Sequence, residues 1–79
     1  MNQQKRQNQR RQKALGTRIR NLRQAKRWPS QAAFAKACGI HPSHLLEIER
    51  GAANIKLSTL LKIARTLKIT LPYLLHNIV

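Results

Sequence analysis

Acidic residues are nearly missing from this 79-residue chain, which has no aspartate and only two glutamates, Glu47 and Glu49, against 16 lysines and arginines. General acid–base catalysis needs positioned titratable groups, and carboxylates are the usual supply. We therefore expect a protein that is not an enzyme. The net charge of +14 favours a polyanionic partner, and nucleic acid is the first candidate.

Other absences narrow the class of protein further. The single cysteine, Cys38, excludes a disulfide within the chain and fits a reducing cytosol. No apolar run approaches the roughly 20 residues of a membrane span, and the N-terminus lacks the apolar core of a signal peptide. Cys38, His41 and His44 have a spacing that suggests zinc, but a fourth ligand is missing. We expect no metal, no cofactor, no small-molecule ligand and no membrane contact.

Residues 1–13 differ in composition from the rest of the chain. Residues 2–12 are all asparagine, glutamine, lysine or arginine, so the segment has almost nothing to bury. This composition predicts a flexible basic arm. A helical extension of the following segment is the alternative, because glutamine, lysine and arginine tolerate helix.

Residues 14–79 carry the periodicity of a helical domain. Apolar side chains recur at helical spacing in five segments, and no segment alternates with period two. Ser30 and Thr70 suit N-caps, Pro42 suits the first position of a helix, and Gly39 suits a tight turn. The fourth segment, residues 57–67, has a predicted apolar face of Leu57, Leu60, Leu61, Ala64 and Leu67. The predicted fold class is all-α, a bundle of five helices.

The second and third helices, joined at Gly39, predict a helix-turn-helix. One helix braces another that projects from the surface and is narrow enough for the major groove of DNA. With the positive charge, this predicts double-stranded DNA as the partner.

Many positions carry a resemblance to a known family. They are Leu15-Gly16-Thr17-Arg18-Ile19-Arg20, Leu22-Arg23, Ser30-Gln31, Phe34-Ala35, Gly39, Leu45, Ile48-Glu49-Arg50-Gly51, Asn54, residues 57–67, Ile69 and Leu74-Leu75. Residues 15–75 thus resemble the Cro and phage-repressor type (xenobiotic-response-element-like) of helix-turn-helix regulator. The chain is similar to small restriction–modification controller proteins. Lys68 departs from the pattern, since glycine is common there.

The resemblance implies a lambda-repressor-like fold and a sequence-specific, DNA-binding transcriptional regulator. Such a protein, bacterial or phage-encoded, is a homodimer on an inverted-repeat operator, located in the cytoplasm and associated with the nucleoid when bound. By family position, Arg23 and Glu49 form a buried structural ion pair. The expected base-reading residues are His41, Pro42, Ser43, Leu46 and Glu47. Leu46 is a core residue instead if the third helix is rotated, and Glu47 is alternatively a solvated side chain.

Phosphate contacts are expected on both sides of the third helix. Gln31 lies at the start of the second helix, where backbone N–H groups and the helix dipole favour an anion. The expected phosphate-binding residues are Ser30, Gln31, His44, Arg50, Asn54 and Lys56. Gln31 is alternatively an exposed residue without a role, and Asn54 a cap of its loop. The basic arm, with Lys5, Arg6, Arg10, Arg11 and Lys13, is expected to follow the DNA backbone or enter a minor groove, or else to be a solubilising tail.

The C-terminal segment predicts a dimer contact. It is more apolar than one short helix can bury, so Tyr73, Ile78 and Val79 are expected to form an exposed patch for a two-fold contact. The alternative is that the end folds back on its own core. A second function class also remains open at this point, an antitoxin-like module that binds a protein and has secondary DNA binding.

Overall fold

The computed structural model describes residues 3–78, with side chains from Arg6 onwards. All regular structure within this range is helical, in five helices: α1 (Gln3–Ala25), α2 (Gln31–Cys38), α3 (Pro42–Arg50), α4 (Leu57–Leu67) and α5 (Leu71–Leu74). The predicted all-α fold class is thereby confirmed. None of these described helices has the length and apolar character needed to cross a membrane.

The N-terminal segment differs from the expected flexible arm. Helix α1 is continuous from Gln3, which corresponds to the alternative of a helical extension. Residues 3–15 contain no proline, glycine or β-branched residue, so nothing in them interrupts a helix. The extension also contacts the domain, because the side-chain amide of Gln12 donates a hydrogen bond to the side-chain oxygen of Asn54.

Local signals at the helix-turn-helix act as expected. The Oγ atom of Ser30 accepts a hydrogen bond from the N–H of Ala33 at 3.0 Å and caps α2. Gly39 ends α2 in the left-handed conformation, with φ of 78°, where a Cβ atom would be strained. Pro42 occupies the first turn of α3, where its missing N–H costs no hydrogen bond.

All five helices contribute to one core. The largest fully buried side chains are Ile19, Phe34, Leu45, Ile48, Ile63, Leu67 and Leu74. Trp28, just beyond α1, packs edge-on against Phe34 with ring centroids 5.4 Å apart. Burial of apolar side chains from every helix therefore fixes the position of α3 relative to the others.

Helix α4 is rotated relative to the predicted face. Its buried residues are Thr59, Ile63, Ala64 and Leu67, whereas Leu57 is 61% exposed and Leu61 is 50% exposed. Apolar residues surround more than half of this helix, so helical spacing alone allows two orientations. The prediction was wrong for Leu57 and Leu61, and both leucines lie on the surface.

A glycine allows α1 to cross α3 at very short range. A Cβ atom at Gly16 would lie 2.2 Å from the carbonyl oxygen of Ile48 and 3.0 Å from that of Glu49. Any larger residue at this position would push α1 away from the end of α3. Gly16 thus sets the distance between the first helix and the helix that is expected to bind DNA.

A buried charge cluster connects α1, α2 and α3. The guanidinium of Arg23 donates two hydrogen bonds to the Glu49 carboxylate, from Nε to Oε2 at 2.8 Å and from Nη2 to Oε1 at 3.1 Å. The side-chain amide of Gln31 donates a third to Oε1 at 2.8 Å. Both charged residues are buried, with 7% of Arg23 and 8% of Glu49 exposed. Each charge is compensated, so burial carries no unpaired ion.

Removing one member of the ion pair should destabilise the protein strongly. Arg23→Met leaves the Glu49 carboxylate buried with only Gln31, and we expect unfolding free energy to fall by about 3–5 kcal/mol in urea denaturation. Arg20→Met, at an exposed position of the same helix, is the control and should change stability by less than about 0.5 kcal/mol. The double variant Arg23→Met/Glu49→Leu should lose less than the two single losses together, since it leaves no orphan charge. A loss for Arg23→Met no larger than the control's would contradict a stabilising pair.

The end of α4 offers the opposite case, a substitution that should stabilise. Lys68 ends this helix in the left-handed conformation, with φ of 60° and ψ of 42°, which costs about 1–2 kcal/mol for a residue with a Cβ atom. We expect Lys68→Gly to gain about 0.5–1 kcal/mol, and so to raise Tm by a few degrees in a thermal melt. Lys62→Gly removes the same charge from the interior of α4 and should instead lose about 1 kcal/mol. Equal destabilisation by both variants would refute the strain at Lys68.

Candidate nucleic-acid interface

Helix α3 presents its N-terminal turn and one side to solvent. Of the five residues expected to read bases, His41, Pro42, Ser43 and Glu47 are exposed, and Leu46 is half-buried. The opposite side of α3 carries Leu45, Ile48 and Glu49, all buried. The structure therefore places the five residues on the outer side of a helix whose inner side is anchored in the core.

His41 has a structural task that sequence reasoning missed. Its Nδ1 atom accepts a hydrogen bond from the backbone N–H of Ser43 at 3.1 Å and caps α3. The Oγ atom of Ser43 lies 2.7 Å from the same nitrogen. Because a backbone N–H is only a donor, Nδ1 carries no proton in this arrangement. The proton of the neutral ring is then on Nε2, which points a donor away from the cap.

The start of α2 is arranged differently from expectation. Ser30 acts as the helix cap, as expected. The Gln31 side chain is half-buried and one N–H of its amide donates to Glu49, which holds this amide against the buried carboxylate. What remains for an anion at this end of α2 is the backbone, whose free N–H groups carry the positive end of the helix dipole.

Four more residues expected to bind phosphate lie on α3 itself, His44 and Arg50, or in the segment after it, Asn54 and Lys56. Arg50, Asn54 and Lys56 are exposed, and His44 is half-buried. Lys56 occupies the N-cap position of α4 without a side-chain hydrogen bond to it, so its ammonium is available to solvent. Asn54 accepts from Gln12 and thus joins the loop before α4 to the extension of α1. Of these four residues, the two cations, Arg50 and Lys56, offer the strongest contacts to a phosphate.

The basic residues of the N-terminal segment lie along α1. Arg6, Arg10, Arg11 and Lys13 are exposed, while the side chain of Lys5 lies outside the described residues. Arg11 donates to the side chain of Asn8 at 3.5 Å. These cations are therefore carried by a helix rather than by an extended arm.

At the C-terminal end, the residues of the expected dimer patch are separated. Tyr73 is 56% exposed, but Ile78 is half-buried and packs against the core, and Val79 lies outside the described residues. The Arg18 guanidinium donates to the carbonyl oxygens of Tyr73 at 3.3 Å and His76 at 2.8 Å. This contact folds the end of the chain back onto α1, which explains the partial burial of Ile78.

Cys38 belongs to the core. It is buried and free, at the C-terminal end of α2. Burial raises the pKa of its thiol above the ordinary value, while a hydrogen bond with Thr66 acts in the opposite direction. Its environment is thus typical of a structural cysteine, since a reactive thiol needs a lowered pKa and exposure. His41, the second residue of the spacing that suggests zinc, has its Nδ1 atom within hydrogen-bond distance of the Ser43 hydroxyl.

The charge balance at the surface follows from the burial of Glu49. The sequence has two acids, and one of them is consumed by Arg23 and Gln31 inside the protein. Glu47 is left as the acid that faces solvent, on the outer side of α3. A carboxylate among so many cations repels phosphates, but it can accept a hydrogen bond from the amino group of cytosine.

Comparison with known proteins agrees with this geometry. Residues 19–74 match the helix-turn-helix family. Control protein C.BamHI from Bacillus amyloliquefaciens is 34% identical over 53 residues, which are 67% of this chain and 65% of that protein. The chain thus spans just under two thirds of the length of this curated relative.

Among solved structures, the crystal structure of the restriction-modification controller protein C.AhdI from Aeromonas hydrophila is similar. It matches with a TM-score of 0.76 and 36% sequence identity, over 80% of this chain and 94% of that chain. These matches are to transcriptional regulators and not to a class of enzymes. The family match extends over more than half of the sequence, and the chain therefore belongs to the helix-turn-helix family of DNA-binding transcriptional regulators.

Proposed function

We propose that the protein is a controller-type regulator that acts in the cytoplasm as a homodimer and binds an inverted-repeat operator. The observation that carries this proposal is the exposure of His41, Pro42, Ser43 and Glu47 on a helix that the buried pair of Arg23 and Glu49 holds on the core. The similarity to two controller proteins supports it. Like other helix-turn-helix proteins, this one would insert the N-terminal part of α3 into the major groove.

Base readout would come from chemically different groups on this turn. The Glu47 carboxylate accepts from the amino group of cytosine, and the Nε2–H of His41 donates to an acceptor on guanine or thymine. Leu46 and Pro42 offer apolar contact to a thymine methyl group. The hydroxyl of Ser43 is shared with His41, so we expect it to act mainly by orienting that ring.

Phosphate contacts would fix the orientation of α3 in the groove. Arg50 and Lys56 supply exposed charge, and His44 and Asn54 supply hydrogen-bonding groups nearby. At the start of α2, the backbone N–H groups beside Ser30 and Gln31 replace the Gln31 side chain as the anion-binding element. These contacts would contribute affinity and fix the position of the protein along the DNA, but they would not depend directly on the base sequence.

The dimer contact would involve α4 and α5. Among the described residues, the large exposed apolar side chains are Leu57, Leu61 and Tyr73. Leu57 and Leu61 are four residues apart on α4 and so share one face. Helix α4 packs mainly on α2 and α5. A two-fold contact through the exposed face of α4 would leave α3 free to bind DNA. Two copies of α3 one helical turn of DNA apart would read a site that one copy is too short to specify.

Base readout and phosphate contact should separate in a binding-site profile. Glu47→Ala should change the preferred base at one position, by about 1–3 kcal/mol. Lys56→Ala is the matched case, also exposed and also a loss of one charge, and should weaken all sites alike. The measurement is selection and sequencing of bound sites from random duplex DNA. A profile for Glu47→Ala identical to that of wild type would remove Glu47 from the base-reading residues.

Self-association should depend on the apolar surface of α4 and α5. Leu61→Lys/Tyr73→Lys should shift the protein from dimer to monomer in sedimentation equilibrium, because burying two ammonium groups at a two-fold contact is costly. Gln24→Lys/Ala37→Lys adds the same charge at exposed positions of α1 and α2 and should remain dimeric. A wild-type protein that is monomeric at high concentration, both free and on DNA, would rule out the homodimer.

A further inference from the structure

The N-terminal half of α1 and the end of α3 enclose a cleft of about 510 Å³. Arg6, Arg10 and Lys13 line it from α1, and Arg50 lines it from α3. The three α1 residues are spaced by four and then three positions, which places them on one face of a helix. The continuity of α1 from Gln3 is what brings this face to the cleft.

The floor of the cleft is backbone packed on backbone. Gly51 ends α3 with φ of 77°, and a Cβ atom there would lie 2.6 Å from the Cα atom of Lys13. The hydrogen bond from Gln12 to Asn54 fixes α1 against the following loop at the same level. The floor of the cleft is thus held by the fold, while long side chains of α1 and α3 form its walls.

The charge inside the cleft is unbalanced. Four cationic side chains line it, and no carboxylate appears among the described residues around it. Arg6 and Arg10 are four residues apart, and like charges at that spacing destabilise a helix. An anion seated between them would relieve this repulsion and form charge-assisted hydrogen bonds with the guanidinium groups.

We propose that this cleft binds a backbone phosphate of the duplex DNA strand that borders the groove occupied by α3. The proposal rests on the proposed function, because α3 must lie in the major groove. A nine-residue helix is about 13 Å long at 1.5 Å per residue, and the major groove is about 12 Å wide. With its first turn at the base edges, the far end of α3 and the adjacent cleft therefore reach the edge of the groove. The N-terminal segment acts as a preformed helical wall rather than as a tail that enters a minor groove.

Salt dependence of DNA binding tests the cleft. Each neutralised phosphate contributes about −0.9 to the slope of log affinity against log salt. For Arg6→Gln/Arg10→Gln we expect a slope less steep than that of wild type by about 0.9, the contribution of one phosphate, in anisotropy titrations on a mixed-sequence duplex. The control is Arg20→Gln/Lys26→Gln, which removes the same charge at exposed positions outside the cleft. If the control flattens the slope by the same amount, the effect comes from the total charge of the protein. That result would overturn the proposed phosphate site in the cleft.

A second variant separates a helical wall from a flexible tail. Gln9→Pro keeps every charge but interrupts α1 between Arg6 and Arg10, because proline lacks the N–H and clashes with the preceding turn. We expect a slope less steep than that of wild type by at most about 0.9, because Arg6 is withdrawn from the phosphate that it shares with Arg10, and a lower helix content by circular dichroism. A slope equal to that of wild type would mean that Arg6 acts from a tail and would overturn the proposal.

The position of the phosphate can be found on an operator recovered by selection with the wild-type protein. Replacing single phosphates by uncharged methylphosphonates should reveal at least one position that weakens wild type and has no effect on Arg6→Gln/Arg10→Gln. Failure to enrich any sequence would count against the proposed function itself. An enriched operator without such a position would overturn the proposed phosphate site in the cleft and leave the proposed function standing.

Discussion

The interaction on which the rest of the structure depends is the buried contact of Glu49 with Arg23 and Gln31. One carboxylate receives hydrogen bonds from α1 and from α2 while belonging to α3. Apolar packing fills the space between these helices, but it is less directional than three charge-assisted or amide hydrogen bonds. Since Glu49 is two residues from Glu47, the cluster controls the rotation of α3 and hence which side chains face outward. We regard its main role as orientation, because desolvation offsets much of its Coulomb energy.

The burial of Glu49 also shapes the electrostatics of the surface. Glu49 and Arg23 neutralise each other as a buried pair, so the field around the protein is set by the remaining cations, with Glu47 as the opposing acid. The field is further concentrated where α1 meets the end of α3. Attraction of this kind accelerates the encounter with a polyanion and is reduced by salt, whereas the α3 turn acts only at contact.

The sequence predicted the helix-turn-helix well because its signals are local. Ser30 and Gly39 each act through their own backbone geometry, which is independent of distant residues. The extension of α1 was not predictable, since glutamine, lysine and arginine are compatible with helix and with coil. The orientation of α4 was not predictable either, because Ile63 and Leu61 have equal claims to burial when periodicity is the only guide. The engagement of Gln31 depends on the distance between two helices, which no local pattern contains.

The hydrogen bond that caps α3 has a consequence for how binding specificity can change. His41 and Ser43 are both exposed on the side of α3 that we propose binds DNA, yet together they also hold the first turn of the helix. A substitution that alters base preference at either position therefore alters the helix terminus as well, and stability and specificity cannot vary independently there. Glu47 has no such structural duty among the described contacts. If these residues read bases as proposed, a new specificity should need a single substitution at Glu47 but paired substitutions at His41 and Ser43. The two positions at the start of α3 would then diverge at a different rate from Glu47.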